Sequence, residues 1–216
     1  ALYLGALLTH WRADMASQWV TTMVGVALPC VTISVLVGRL RSMALHDLLT
    51  GLGNRRMLEE CLPRWLALSG RDGSAITVVA IDLDNLKTVN DTAGHAAGDR
   101  MIVEATKRWS TALRSSDLLA RVGGDEFVLV LCGTDVAAAE STVTRLRNVT
   151  PDVRFCAGLA AWEGEEGHQL LHRADAALYT AKTGGRNRTV IAGHRGAPTD
   201  APTAATAAVV NATLRI

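Results

Sequence analysis

Asp82 and Asp84 close the apolar run ITVVAIDLD, residues 76–84. Such a run reads as a buried strand that delivers charge at its tip. A carboxylate there is costly unless it is paired, hydrogen-bonded or bound to metal. A strand-end aspartate can also cap the next helix, and Asp84 is placed to do so. Further along, LLARV and EFVLVLC flank Gly123-Gly124-Asp125, a strong hairpin signal. If that hairpin lies beside the first strand, Asp82 and Asp125 converge, with Glu126 next to them. Two converging carboxylates suit Mg²⁺ bound to phosphates. Glycines at 123 and 124 leave backbone open to close approach by a nucleotide, although a plain turn uses the same residues. In AKTGGRNR, Lys182 and Arg186 frame a helix end. Cations there can simply complement the helix dipole, or they can clamp phosphates, arginine as a planar fork and lysine as a point charge.

These residues need elements to hold them. RRMLEECLPRWLAL (55–68), AGDRMIVEATKRWSTAL (97–113), AAAESTVTRLRNV (137–149) and HQLLHRADAALYTAKT (168–183) read as helices. VRFCAGLAAW (153–162) and NRTVIA (187–192) read as strands. Helices and strands alternate around a central hairpin. The expected fold class is therefore α/β (α+β): a mixed central β-sheet covered by helices, not a purely parallel doubly wound one.

Bulk properties narrow the function. The 216 residues carry a net charge of +1, with 20% charged and 4% aromatic residues. Neither a basic footprint nor a stacking surface is present, so no nucleic-acid partner is expected. Cys30, Cys61, Cys132 and Cys156 are scattered without metal-ligand spacing and read as buried free thiols. Residues 20–38, VTTMVGVALPCVTISVLVG, carry no charge. That length suits a transmembrane helix, with Trp19 at one edge and Arg39 and Arg41 past the other. The alternative is a buried core helix. The arginines predict that everything after residue 39 is cytoplasmic. ALYLGALLT reads as the tail of an earlier span, and the Ala/Thr/Pro-rich end as a disordered tail. The expected organisation is 1–18 upstream tail and external loop, 19–38 transmembrane helix, 39–46 linker, 47–192 α/β domain and 193–216 tail.

Five segments in order carry a family resemblance. They are DLLTGLGNRR (Asp47–Arg56), DLDNLKTVND (Asp82–Asp91), GHAAGD (Gly94–Asp99), RVGGDEF (Arg121–Phe127) and ADAALYTAKTGGRNR (Ala174–Arg188). Together they resemble the diguanylate cyclase family, named for its GGDEF turn, which has a palm-like nucleotidyl-cyclase fold. The resemblance implies Mg²⁺ (Mn²⁺ as an alternative) on Asp82, Asp125 and the Leu83 carbonyl. It implies guanine recognition by Asn90 and Asp99, which suits a carboxylate accepting from guanine N–H groups. Gly123 and Gly124 would lie against the nucleotide, Lys182 and Arg186 would bind terminal phosphates, and Glu126 would assist the metal or the 3′-hydroxyl. The implied reaction joins two GTP into cyclic di-GMP and pyrophosphate in a homodimer. Arg114-Ser115-Ser116-Asp117 resembles the family's inhibitory product site; as a bare pattern it is an exposed ion pair. The implied location is a bacterial inner membrane. Two departures stand out: Leu86 where the family often has Phe, and Cys156-Ala157-Gly158 in place of Ser-x-Gly. Rival readings are a catalytically silent receptor for GTP or cyclic di-GMP, an adenylate-type cyclase, and a structural membrane adaptor.

Overall fold

The computed structural model describes residues 23, 25–38 and 44–194. Two units divide the chain, one ending at Ala44 and one beginning at Leu45. In the first, residues 25–38 are helical. Val26, Leu28, Val31, Ile33 and Val35–Val37 are all exposed there. Among the described residues no helix is long and apolar enough to cross a membrane. The start of the expected span, Arg39 and Arg41, the expected upstream segment and nearly all of the expected tail lie outside the described residues.

The second unit is built on a six-stranded mixed sheet, matching the expected class. In chain order its elements are β1 (Gly53–Asn54), α1 (Arg55–Asp72), β2 (Ile76–Leu83), α2 (Leu86–Ala93), α3 (His95–Ala112), β3 (Leu118–Arg121), β4 (Glu126–Cys132), α4 (Val136–Val149), β5 (Phe155–Ala161), α5 (Gly167–Thr183) and β6 (Thr189–Ile191). The strand order is β1-β3-β4-β2-β5-β6. β2 runs antiparallel to both neighbours, β4 and β5, while β1 pairs with β3 and β5 with β6 in parallel.

β2 lies at the centre, and every one of its residues is buried. Its side chains alternate between two cores. Val79, Ile81 and Leu83 join Ile102 and Trp109 of α3 and Val143 and Leu146 of α4 on one face. There Trp109 meets Phe127 and Phe155 edge-on, at ring separations of 5.5 and 5.2 Å. Such contacts add to area burial. Its indole N–H donates to Thr150 Oγ1 at 3.0 Å. Val78 and Ala80 join Leu58, Leu62 and Leu66 of α1 and Leu170, Ala174 and Leu178 of α5 on the other face.

The helices begin and end for local reasons. Asn54 caps α1 by accepting from the Met57 N–H, and Gly73 ends it in the left-handed region at φ 73°. Asp135 caps α4 through the Ala138 N–H. α5 packs closely on β5 because residue 158 is glycine: a side chain there would overlap the backbone of Ala174 and Leu178. The four cysteines are free, but only Cys156 is buried; Cys30 is exposed and the other two are half-buried.

Candidate active site

The alternation that builds the two cores also aims the site. Asp82 has the same parity as Val78 and Ala80, so its side chain leaves β2 on the face covered by α5. Lys182 comes down that helix, and its Nζ lies 2.6 Å from Asp82 Oδ2. β4 pairs with β2 so that Glu126 stands directly opposite Asp82. The Leu83 N–H donates to the Asp125 carbonyl at 3.0 Å, joining the strand tip to the glycine turn. The expected neighbourhood of hairpin and first strand is thus the observed one.

Electrostatics follow from this crowding. Burial pushes the Asp82 carboxyl up, Lys182 pulls it down, and the charges of Asp125 and Glu126 push it up again. Asp175, two turns before Lys182 on α5, is pushed up to about 6, first by burial and then by Glu126, against His172, Arg55 and Lys182. Carboxylates crowded in this way are a place where a divalent cation lowers the energy. Among the described residues no three Asp, Glu, His or Cys side chains are gathered closely enough to hold a metal by themselves. Asp82, Asp125 and the Leu83 carbonyl fit the sparser protein shell typical of Mg²⁺, which keeps water and substrate oxygens as its other ligands.

Arg121, Asp47 and Arg55, to which the sequence pattern assigns no role, brace the turn. Arg121 donates from Nε and Nη2 to the Gly124 carbonyl at 3.2 and 2.8 Å. Its Nη1 reaches Asp47 Oδ1 at 3.1 Å. Partial burial alone would raise Asp47, but hydrogen bonds from Thr50 and then Arg121 hold its carboxyl below the usual value. Arg55 donates to the Val122 carbonyl at 3.1 Å. A Cβ on Gly123 would meet Glu126 Oε2 at 2.6 Å, whereas Gly124 faces open space. The signal that could have found this brace was the presence of Asp47 and Arg121 at the edges of two motifs.

The α2–α3 turn brings Asn90 against Gly98, the residue before Asp99. Asn90 Oδ1 is buried without a hydrogen-bond partner. It occupies the space above Gly98, where a methyl group would overlap it. Asp99, next to that glycine, is exposed. A buried amide oxygen without a partner is uncommon and marks this helix pair as a place to look for a ligand.

Asp84 does not cap the following helix as expected. Asn85 holds the cap position at φ 64°, without a side-chain cap bond. Asp84, 7% exposed, instead accepts from the Asn187 N–H at 2.9 Å. Arg186 therefore lies near Asp84, with Nε 4.0 Å from Oδ1, and not against Asp82. Arg114 and Asp117 do not rest on a side-chain ion pair: Asp117 Oδ2 accepts from the Arg114 backbone N–H at 2.9 Å, closing a turn. Asp117 Oδ1 is buried and unpartnered, and Arg114 is exposed. Leu86 is buried in the first core, so its apolar character is what that site uses.

A family model described as diguanylate cyclase, GGDEF domain, matches residues 44–188. The chain is 38% identical over 164 residues to the diguanylate cyclase DgcP of Pseudomonas aeruginosa, covering 70% of this chain and 24% of that one. It is 38% identical over 169 residues to the probable diguanylate cyclase DgcC of Escherichia coli K12, covering 71% and 45%. It thus spans less than half the length of these curated relatives. The solved structure of the coiled coil and GGDEF domain of DgcB from Caulobacter crescentus, in complex with c-di-GMP, superposes with a TM-score of 0.71 at 28% identity. That match covers 79% of this chain and 100% of the other.

Proposed function

Because this chain belongs to the diguanylate cyclase, GGDEF domain, family, we propose that it condenses two GTP into cyclic di-GMP, with 47–192 as the catalytic domain. The observation that carries the proposal is the meeting of Asp82, Glu126 and Lys182 at one strand tip, fastened to Asp125 through the Leu83 N–H. Curated relatives with cyclase activity in their names and a neighbour solved with c-di-GMP support it.

The 3′-hydroxyl of one GTP attacks the α-phosphorus of the other. A new P–O bond forms, the bond to the β-phosphate bridge breaks, and pyrophosphate leaves; repeating the step closes the ring. Asp82, Asp125 and the Leu83 carbonyl hold Mg²⁺ or Mn²⁺, which supplies Lewis-acid stabilisation of phosphate charge. Glu126 takes the hydroxyl proton or helps the metal. Lys182 and Arg186 bind the terminal phosphates. Asn90 and Asp99 accept from guanine N1–H and the amino group, donors that adenine does not offer in that arrangement. Gly123 and Gly124 let the nucleotide approach the turn.

One such domain holds one GTP, so a two-fold homodimer completes the reaction. Arg114 and Asp117 form the product-binding inhibitory site, a reading supported by the exposure of Arg114 and the turn that Asp117 closes. Residues 19–38 anchor the protein in a bacterial inner membrane with the catalytic domain cytoplasmic. This rests on the uncharged run and on the exposed apolar side chains of its described helical part.

The test is product analysis after incubating nucleotide-stripped protein with GTP and Mg²⁺, beside Asp125→Ala. Cyclic di-GMP from the parent and none from the variant is the expected result. A parent that stays silent even as a forced dimer, yet binds cyclic di-GMP, would replace the enzyme with a receptor.

A further inference from the structure

The stretch after α5 takes an uncommon path. Arg186 and Asn187 both lie in the left-handed region, at φ 59° and 45°. Asparagine tolerates that region better than most residues, but arginine has no special reason to adopt it. Two consecutive residues held there need outside support.

The support comes from a buried group that the reaction does not use. Asp84 Oδ2 accepts the Asn187 N–H at 2.9 Å, and Asp84 Oδ1 accepts from the Cys156 thiol at 3.3 Å. Burial pushes that thiol up, and the neighbouring Asp84 carboxylate adds to the push, so it stays a donor. From the other side Arg147 donates to Asn187 Oδ1 at 2.9 Å and, from the same Nη1, to the Phe155 carbonyl at 2.8 Å. Its guanidinium lies over the Phe155 ring, 4.2 Å from the centroid. Asn187 is thus held at its backbone by Asp84 and at its side chain by Arg147. The residue just before it is Arg186, whose side chain is 65% exposed and whose Nε lies 4.0 Å from Asp84.

We infer that Asp84 is a positioning residue: it fixes the Arg186–Asn187 bend and so holds the Arg186 guanidinium beside the strand tip, where it meets the terminal phosphates of GTP. The inference rests on the proposed phosphate role of Arg186. Asp84 itself touches neither substrate nor metal in this scheme. Its carboxylate sets the direction of a side chain reached through the backbone.

The experiment uses the full chain and the variants Asp84→Ala, Asp84→Asn, Arg186→Ala and the Asp84→Ala/Arg186→Ala double. Three readouts are taken: exchange of the Asn187 amide, affinity for α,β-methylene-GTP, and affinity for GMP, which lacks the terminal phosphates. Asp84→Ala is expected to speed Asn187 exchange and weaken the GTP analogue about tenfold, with GMP binding unchanged. Asp84→Asn, whose amide oxygen still accepts the N–H, is expected to restore most of both. The double variant is expected to be no weaker than Arg186→Ala, because the two residues act as one unit. Equal weakening of GMP and the GTP analogue, additive losses in the double, or unchanged Asn187 exchange each overturn the inference. If Arg186→Ala weakens the analogue and Asp84→Ala does not, the inference alone falls. If Arg186→Ala leaves the analogue unaffected, the phosphate role falls first and the inference with it. Asp84→Asn keeps the test open if Asp84→Ala does not fold.

Discussion

Lys182 Nζ lies 2.6 Å from Asp82 Oδ2, so the cation assigned to phosphate and the carboxylate assigned to metal share one contact. The pairing matters because burial raises the Asp82 carboxyl and Lys182 is the group that pulls it back down. Taking the lysine away leaves burial, Asp125 and Glu126 all pushing upward. Lys182→Met is therefore expected to move the acid limb of the GTP-turnover profile to higher pH, besides raising KM. A pH–rate series on parent and variant checks this. A raised KM with an unmoved acid limb would show that the contact does not govern Asp82.

Gly98 is expected to matter through Asn90. A side chain on Gly98 would overlap Asn90 Oδ1. Alanine favours helix over glycine by roughly 1 kcal/mol, so Gly98→Ala should not cost the helix its stability. It should displace the amide and reduce kcat/KM for GTP at least about tenfold, the size of one lost hydrogen bond to a ligand. Thermal melting and steady-state kinetics together decide it. Normal kinetics in a folded variant would remove Asn90 from base recognition.

The framework was legible because hydrophobic period and turn chemistry agree. β2 is largely apolar, buried throughout and ends in carboxylates, and the Gly-Gly-Asp turn joins β3 and β4 as its residues require. What the pattern could not supply was parity between distant elements. Nothing local in residues 82–84 says that Asp82 meets Lys182 while Asp84 meets Asn187; that depends on β5 and α5 packing beside β2 through Gly158. The two-residue strand β1 was equally hidden, because it has no period of its own and depends on pairing with β3. Arg121 showed itself only as the edge of a motif, and its bracing role could not be read from it alone because its partner Asp47 is far away in sequence.

Arg121 should be felt in catalysis more than in folding. It supplies both hydrogen bonds to the Gly124 carbonyl and the link to Asp47. Arg121→Ala leaves the turn without its brace and Asp47 without its ion pair. The expected cost in stability is about 1–3 kcal/mol, read by urea denaturation. Turnover measured well below the melting temperature should fall further than that loss explains, because Asp125 and Glu126 sit on the same turn. Lysine in place of arginine cannot reproduce the fork, so Arg121→Lys should rescue little. Full activity in Arg121→Lys would mean that charge alone suffices.

Product inhibition offers an independent handle. Arg114 is exposed and its side chain makes no contact that the turn needs, since Asp117 bonds the backbone N–H. Arg114→Ala is expected to leave the fold and the initial rate unchanged while turnover continues past the point at which accumulated cyclic di-GMP slows the parent. Progress curves with added product check it. Unchanged curvature would assign the turn a structural role only.

Asp175 makes stability depend on pH in a direction opposite to that of a salt-bridged carboxylate. Its carboxyl is pushed from 3.8 up to about 6, first by burial and then by Glu126. Between those values the folded chain keeps a proton that the unfolded chain has lost. Stability from this group is therefore fully present below the unfolded value of 3.8 and is lost as pH rises through about 6. Asp175→Asn cannot ionise and keeps the neutral shape. It should match the parent near about pH 4 and exceed it near about pH 7.5, by at most about 3 kcal/mol. Glu126, His172, Arg55 and Lys182 all remain in the variant, so the difference isolates the ionisation of Asp175 itself. Urea midpoints at the two pH values, in metal-free buffer, give the comparison. Equal offsets at both would mean that Asp175 titrates as an ordinary surface carboxylate, and that its burial against Glu126 is not felt in the folded chain.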